Sequence, residues 1–403
     1  MNYVKAIKSN KSALLVTYGS MIFEGAIMTM LVALMTPLSG RMNVSVSEIS
    51  MMITAQSIGT VSVIYLAGNI SDKIGRKKII LLGLISYLLF LTGMFFTTNF
   101  YFALILALFA GFGHGLMDSP SISMLIDIFG DHSGPAMSVV AVFFSGGGAI
   151  SSIIVKEFIK NDVDFKYLFI LFIIVAALHA IIVFTAKYPK KQRHVVERVS
   201  KKTEEDAEVK AKREKALFNV AILLAVITFL FASGNSLIRT WVSTYSLEVK
   251  EMTLDNSIGM LTYLQIGNVL GAVAYAYILT KIHSTKVMIF NGFMASIGLS
   301  LFLSFTTADV LLLMIVGSAL SVSFSLSLNI IGELYAENSG GATGFIGTAS
   351  MASGMVITFL SGQLLPIIGV KLLMWSAIII ILTATALAII FRRKFVEIKG
   401  NRK

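Results

Sequence analysis

Residues 50–96 read SMMITAQSIGTVSVIYLAGNISDKIGRKKIILLGLISYLLFLTGMFF. Two apolar runs, 50–70 and 79–98, flank a short basic loop carrying Lys73, Arg76, Lys77 and Lys78. Each run is about 20 residues long, and at roughly 1.5 Å of rise per residue that crosses ~30 Å of hydrocarbon as a helix. The pattern repeats outward in both directions. Further runs lie at 12–38, 101–127, 135–155, 167–186, 216–240, 257–280, 286–306, 309–334, 341–365 and 370–391, which makes twelve expected spans. Composition agrees: 56% of the 403 residues are hydrophobic and 14% charged, against about 25% charged in an ordinary soluble domain. With a mean hydropathy of +0.83, the solvent around this chain is expected to be largely lipid.

A net charge of +11 could indicate a nucleic-acid partner, but its distribution argues otherwise. If the N-terminus is cytoplasmic, the even-numbered loops and both ends hold 26 of the 33 Lys and Arg, eleven of them at 187–215. The odd-numbered loops hold Arg41, Lys156, Lys160, Lys166, Lys250 and Lys371. That bias is the positive-inside rule, and it predicts a multi-pass cell-membrane protein with both termini in the cytoplasm. Anionic lipid, not nucleic acid, is then the partner of the basic surface. The first run is too long, and lacks the small-residue pattern, for a cleaved signal peptide; it is read as span 1. The absence of cysteine excludes disulfides and thiol chemistry. The five histidines show no metal-ligand spacing, and no phosphate-binding loop is present. Neither an enzyme nor a cofactor is expected, and ATP is not the expected driver.

The polar stretch 187–215 separates six spans from six, giving an N-terminal domain at 1–186, a cytoplasmic linker at 187–215 and a C-terminal domain at 216–403. The two halves are weak copies. An offset of 206 carries Gly111 to Gly317, Asp127 to Glu333, Gly134 to Gly340 and Gly148 to Gly354. An offset of 208 carries Ile58 to Ile266, Gly59 to Gly267 and Lys73 to Lys281. Parallel repeats of this kind place a cavity between two six-helix bundles, which can rock to open it to either side.

The loop between spans 2 and 3 reads Gly68-Asn-Ile-Ser-Asp72-Lys-Ile-Gly75-Arg76-Lys77-Lys78. It matches the G-x-x-x-D-x-x-G-R-[RK] signature, and the chain resembles the major facilitator superfamily along its whole length. The resemblance implies an all-α fold of twelve transmembrane helices in two pseudo-symmetric six-helix bundles. It also implies that Asp72 faces the start of span 11 (Ser339, Gly340, Gly341) as a latch, with Gly68, Gly75, Arg76 and Lys77 part of the same gate. A carboxylate suits a helix N-terminus because the dipole is positive there. In the second half Thr280 and Ala276 replace Asp72 and Gly68, so that copy is weak. Asp127 and its repeat mate Glu333, near the ends of spans 4 and 10, read as gate or loop-anchoring residues that can pair with the basic loops at 73–78 and 281–286.

Charges inside spans point to chemistry, because an ionised side chain at mid-bilayer costs about 2.5–3.5 kcal/mol on insertion scales. Glu24 is alone in the run 12–38, and Asp118 lies in span 4, where His114, Asp118 and Ser121 share a helix face. Burial disfavours the charged form of a carboxyl group and so eases its protonation. Glu24, Asp118 and His114 are therefore candidates for proton coupling. A structural polar network and direct contact with a cationic solute are the alternatives. An acid in span 1 and another after a glycine-rich stretch of span 4 is similar to the fucose/proton symporter branch, although Ser-Pro-Ser follows Asp118 where that branch carries Asn. Arg239, about ten residues past the middle of span 7, is expected near the outer interface, snorkelling or meeting an acid or an anionic solute. Gln56, Asn235, Trp241, Gln265, Asn268 and Asn329 are the candidate substrate contacts, the amides for hydrogen bonds and Trp241 for stacking. Each also serves as an ordinary interhelical contact. The expected function is proton-coupled uptake of a small polar solute, a sugar or related metabolite, by a monomer. The alternative is a proton-driven exporter of drugs or amphiphiles. The glycine-proline signature of such exporters is absent from span 5, where Ser145-Gly146-Gly147-Gly148 is followed by no proline.

Overall fold

The computed structural model describes residues 3–129, 134–189, 207–305, 309–335 and 339–400. The described residues are nearly all helical. The crossings are α1 (Lys11–Ala33), α2 (Val46–Ile74), α3 (Arg76–Phe96), α4 (Phe100–Phe129), α5 (Gly134–Lys160), α6 (Lys166–Thr185), α7 (Ala207–Glu248), α8 (Leu254–Ile278), α9 (Ser284–Ser304) and α10 (Val310–Leu334). The last helical stretch, Ser339–Gly400, is two helices that meet at Gly369, where the backbone is not helical (φ 72°, ψ 160°). At ~1.5 Å per residue it is long enough to cross twice, as α11 (339–368) and α12 (370–400). Twelve crossings result, as the hydropathy predicts. One boundary moves: α7 starts at Ala207, so 207–215, expected in the linker, belong to this helix. The rest of that linker, 190–206, lies outside the described residues.

The ends of these helices are set by local chemistry. Ser45 and Glu48 form a capping box at the start of α2, satisfying two of the N–H groups a helix leaves unpaired. The Asp309 side chain accepts from Leu311 N at the start of α10, and Asn99 accepts from Phe102 N at the start of α4. Leu, Ile, Phe and Tyr side chains stay exposed around the outside, among them Tyr65, Phe96, Tyr101 and Ile367 at 75–77%. Lipid is the solvent that tolerates such a surface.

α1–α6 pack on one another and α7–α12 do likewise, with α5 against α8 and α2 against α11 joining the halves. The repeat is visible in the packing. Gly59 of α2 lies against Gly111 and the Leu108 carbonyl of α4. Its mate Gly267 of α8 lies against Met314 of α10, and Gly317 meets Leu264. No side chain larger than hydrogen fits at either crossing, so the same pair of glycines sets the same close approach in both bundles. One end of the molecule, the basic end, carries the 73–78 loop; the far end lies opposite.

Candidate functional site

Glu24 sits in the middle of α1 and is fully buried. Neither of its carboxylate oxygens has a hydrogen-bond partner. His114 Nδ1 of α4 stands 3.3 Å from Glu24 Oε2, at ion-pair distance but without hydrogen-bond alignment. Asp118, half-buried, lies one turn further along α4 and is within electrostatic range of both Glu24 and His114. Ser121 completes this face of α4 with a buried hydroxyl that lacks a partner. Tyr87 of α3 closes the back of the cluster. It is fully buried, its hydroxyl is unpaired, and its ring meets Phe23 edge-on at 5.3 Å. The fields of Glu24 and Asp118 both reach it. Three elements thus bring Glu24, His114, Asp118, Ser121 and Tyr87 together, and most of their polar atoms are unsatisfied. Buried polar groups are normally hydrogen-bonded, and this concentration of them within the spans makes the cluster the candidate site.

About five residues further along α1, roughly 7.5 Å towards the far end, Thr29 joins the two halves. Its Oγ1 accepts from Arg239 Nη2 of α7 at 2.8 Å and from Gln265 Nε2 of α8 at 3.1 Å. Gln265 Oε1 in turn accepts from Asn268 Nδ2 at 2.9 Å. The Arg239 guanidinium lies over the Phe144 ring of α5 at 5.8 Å, and the His114 ring approaches the same phenyl at 6.2 Å. Phe144 is therefore a shared neighbour of the acidic cluster and the guanidinium. Arg239 is not a snorkelling residue at a lipid interface: it lies between the halves, with its Nε buried. Nearer the far end, Thr262 donates to Ser152 at 2.9 Å and Ser47 donates to the Gly362 carbonyl.

At the basic end, Arg76 joins two acids. Its Nε donates to Asp127 at 2.6 Å, and its Nη2 lies 3.3 Å from Asp72 one turn earlier. The link to Asp127 ties the 73–78 loop to the end of α4. Its counterpart in the second half is Glu333, 3.2 Å from His283 Nε2 at the start of α9. Gly75 has φ 100°, a conformation open to glycine, and it forms the sharp turn between α2 and α3. Gly68 packs against Ser119 of α4. Lys77 Nζ donates to the Phe184 carbonyl and lies 4.2 Å from the Phe184 ring centroid. The side chains of Ser339, Gly340 and Gly341, the expected partners of Asp72, lie outside the described residues.

The expected substrate contacts divide. Gln265 and Asn268 are buried between the halves, and Gln56 of α2 is buried with its Nε2 unpaired. Asn235 is half-buried on α7, one turn before Arg239. Trp241 is corrected: its ring is fully buried and its indole N–H donates to Ser361 of α11 at 2.9 Å. It ties α7 to α11 and offers a solute no face. Asn329 is exposed, towards the basic end of α10 and apart from the Thr29 chain. Thr29, Tyr87 and Phe144 were not foreseen, because a threonine or an aromatic residue in an apolar run has no distinguishing sequence signal.

Comparison with known proteins agrees with this architecture. Residues 17–317 match the model of a family described as the Major Facilitator Superfamily. A Bacillus subtilis relative named as an uncharacterized MFS-type transporter, YfkL, is 22% identical over 348 residues, covering 86% of this chain and 87% of its own. The Escherichia coli inner membrane transport protein YdiM is 22% identical over 323 residues, 78% of each chain. In fold, a crystal structure of a D-xylose-proton symporter superposes with a TM-score of 0.73 at 14% identity, over 96% of this chain and 97% of that one.

Proposed function

The chain belongs to the major facilitator superfamily, and from that premise we propose that it is a proton-coupled secondary transporter taking up a small polar solute, a sugar or related metabolite, across the cell membrane. The observation that carries this reading is the Glu24 carboxyl, fully buried beside His114 with no hydrogen bond to either oxygen. Proton binding there neutralises the group and removes the cost of carrying a charge through the closed centre of the protein. His114 is placed to pass the proton between Glu24 and Asp118, which lies closer to the basic end. The resemblance of these acids to the fucose/proton symporter branch supports the assignment, as does the fold shared with a symporter.

In this reading both termini are cytoplasmic, and 1–186 and 216–403 move as two bundles. The Thr29–Arg239, Gln265–Thr29, Thr262–Ser152 and Ser47–Gly362 contacts close the outer side. The Arg76–Asp127 and His283–Glu333 pairs hold the basic loops against their own bundles, so that the Asp72 gate moves as a unit.

The test is transport into proteoliposomes of a panel of externally added, labelled sugars and related metabolites. An imposed inward proton gradient is expected to drive accumulation of a member of the panel. Glu24→Gln and Asp118→Asn are each expected to abolish uphill accumulation by at least tenfold while sparing exchange of labelled for unlabelled solute. Undiminished accumulation by both variants would remove the coupling role from these residues. Gradient-driven dye efflux in place of solute uptake would favour the exporter.

A further inference from the structure

We infer that the solute is an anion, a hydroxylated carboxylate such as a sugar acid, and that its carboxylate docks on Arg239; this rests on the reading of the central cavity as the substrate site. The inference starts from charge. Arg239 lies between the two halves, and none of the described carboxylates forms an ion pair with it. Its guanidinium instead has one neutral hydroxyl, Thr29, and one ring face, Phe144, while Nε is buried without a partner. A hydroxyl and a phenyl ring do not replace the hydration a guanidinium gives up on burial, so a buried arginine calls for an anion. Glu24 does not fill the role: it forms no ion pair with Arg239, and its Oε2 stands 3.3 Å from His114 Nδ1 instead.

The groups beside Arg239 fit the rest of such a molecule. A guanidinium presents its donors as a planar fork that matches a carboxylate in two parallel hydrogen bonds. Here the free Nε and the adjacent Nη2, now donating to Thr29, form one edge of that fork. Asn268 Oδ1 and Ser243 Oγ are buried without hydrogen-bond partners; Ser243 stands one turn beyond Arg239 on α7, and Asn268 joins the same chain through Gln265. An acceptor amide oxygen and a hydroxyl are what the alcohol groups of a hydroxy acid need. A neutral sugar could use the amide and the hydroxyl, but it would leave the guanidinium unpaired.

The arrangement also couples the solute to closure. Thr29 accepts from Arg239 and Gln265 across the two halves. Nη2 carries two hydrogens, so it can hold Thr29 and a carboxylate together, and binding and the far-end contact meet on one guanidinium. A neutral solute has no such claim on it.

Ligand-dependent thermal stabilisation of the purified full-length protein tests the inference with matched pairs: D-glucose and D-gluconate, D-galactose and D-galacturonate, D-xylose and D-xylonate. The expected result is stabilisation by at least one acid, with the neutral member at least tenfold weaker in apparent affinity. Arg239→Gln is expected to lose at least tenfold in affinity for that acid. Arg239→Lys, which keeps the charge without the fork, should retain an intermediate affinity. Equal binding of neutral and acidic members overturns the inference. So does undiminished acid binding by Arg239→Gln, or failure of every acid to bind. If the Arg239 variants do not fold, the neutral-against-acid comparison on the unaltered protein decides alone. Coupling is judged separately: loss of anion preference leaves the Glu24 transport test intact, and a Glu24→Gln variant that still concentrates solute leaves the anion preference intact.

Discussion

Arg76 and Asp127 show how single residues fix the basic end of this transporter. Their side chains are only 12% and 10% exposed, and the Nε–Oδ2 distance is 2.6 Å. Removing Arg76 strands the Asp127 carboxylate, and breaking so enclosed a pair typically costs about 3–5 kcal/mol, whereas removing Asp127 leaves Arg76 with Asp72. Arg76→Ala is therefore expected to lower thermal stability in detergent sharply, and Asp127→Ala to lower it less, because Arg76 keeps Asp72. The double variant should lose clearly less than the two single losses combined, because neither charge is then left alone. Simple additivity in that cycle would mean that the two side chains do not act as a pair. Glu24 and Asp118 are legible in the sequence because an acid in an apolar run stands out against its neighbours. Thr29 and Tyr87 are not, because a hydroxyl group is common in membrane helices and most simply return a hydrogen bond to their own backbone, as Thr17 does to Ala13.

Among the elements, the α2–α4 and α8–α10 crossings carry the symmetry of the molecule. A methyl group at Gly111 would overlap the Gln56 carbonyl. Gly111→Ala is expected to destabilise the protein by about 1–3 kcal/mol, the usual cost of overpacking a tight interface. Gly344 and Gly347 of α11 have open space where a Cβ would stand. Alanine there should be neutral or stabilising by up to about 1 kcal/mol, since glycine is the poorer helix former. Melting curves of the three variants separate these effects; a destabilised Gly344→Ala would mean that α11 is packed at that point in another state. The constant repeat offset made the paired glycines visible before any coordinates. The division between α11 and α12 was visible as well: 341–365 and 370–391 read as separate apolar segments, and the backbone leaves helical geometry between them at Gly369.

For the whole molecule, the far-end contacts between the halves define the conformation. Ser152 Oγ and Thr262 Oγ1 lie 2.9 Å apart across the α5–α8 interface, and the chain has no cysteine of its own. A Ser152→Cys, Thr262→Cys double variant is expected to cross-link under mild oxidation, stop transport nearly completely and recover it on reduction. Full activity in the oxidised, cross-linked protein would mean that these halves need not separate. Arg239 belongs to the same set of contacts between the halves, because it shares Thr29 with Gln265.

Alone, the sequence determined that this chain crosses a membrane twelve times in two related halves, with a basic loop after the second span and two acids within the spans. Those are properties of hydropathy, spacing and charge along one dimension, and the medium enforces them. What only the tertiary structure decided is who faces whom. Arg239 looked like an interface residue and proved to lie between the bundles; Trp241 looked like a stacking platform and proved to tie α7 to α11. The physical reason is that a helix position fixes depth and face, whereas the partner across the gap comes from the packing of other helices. Hydropathy carries no record of that packing.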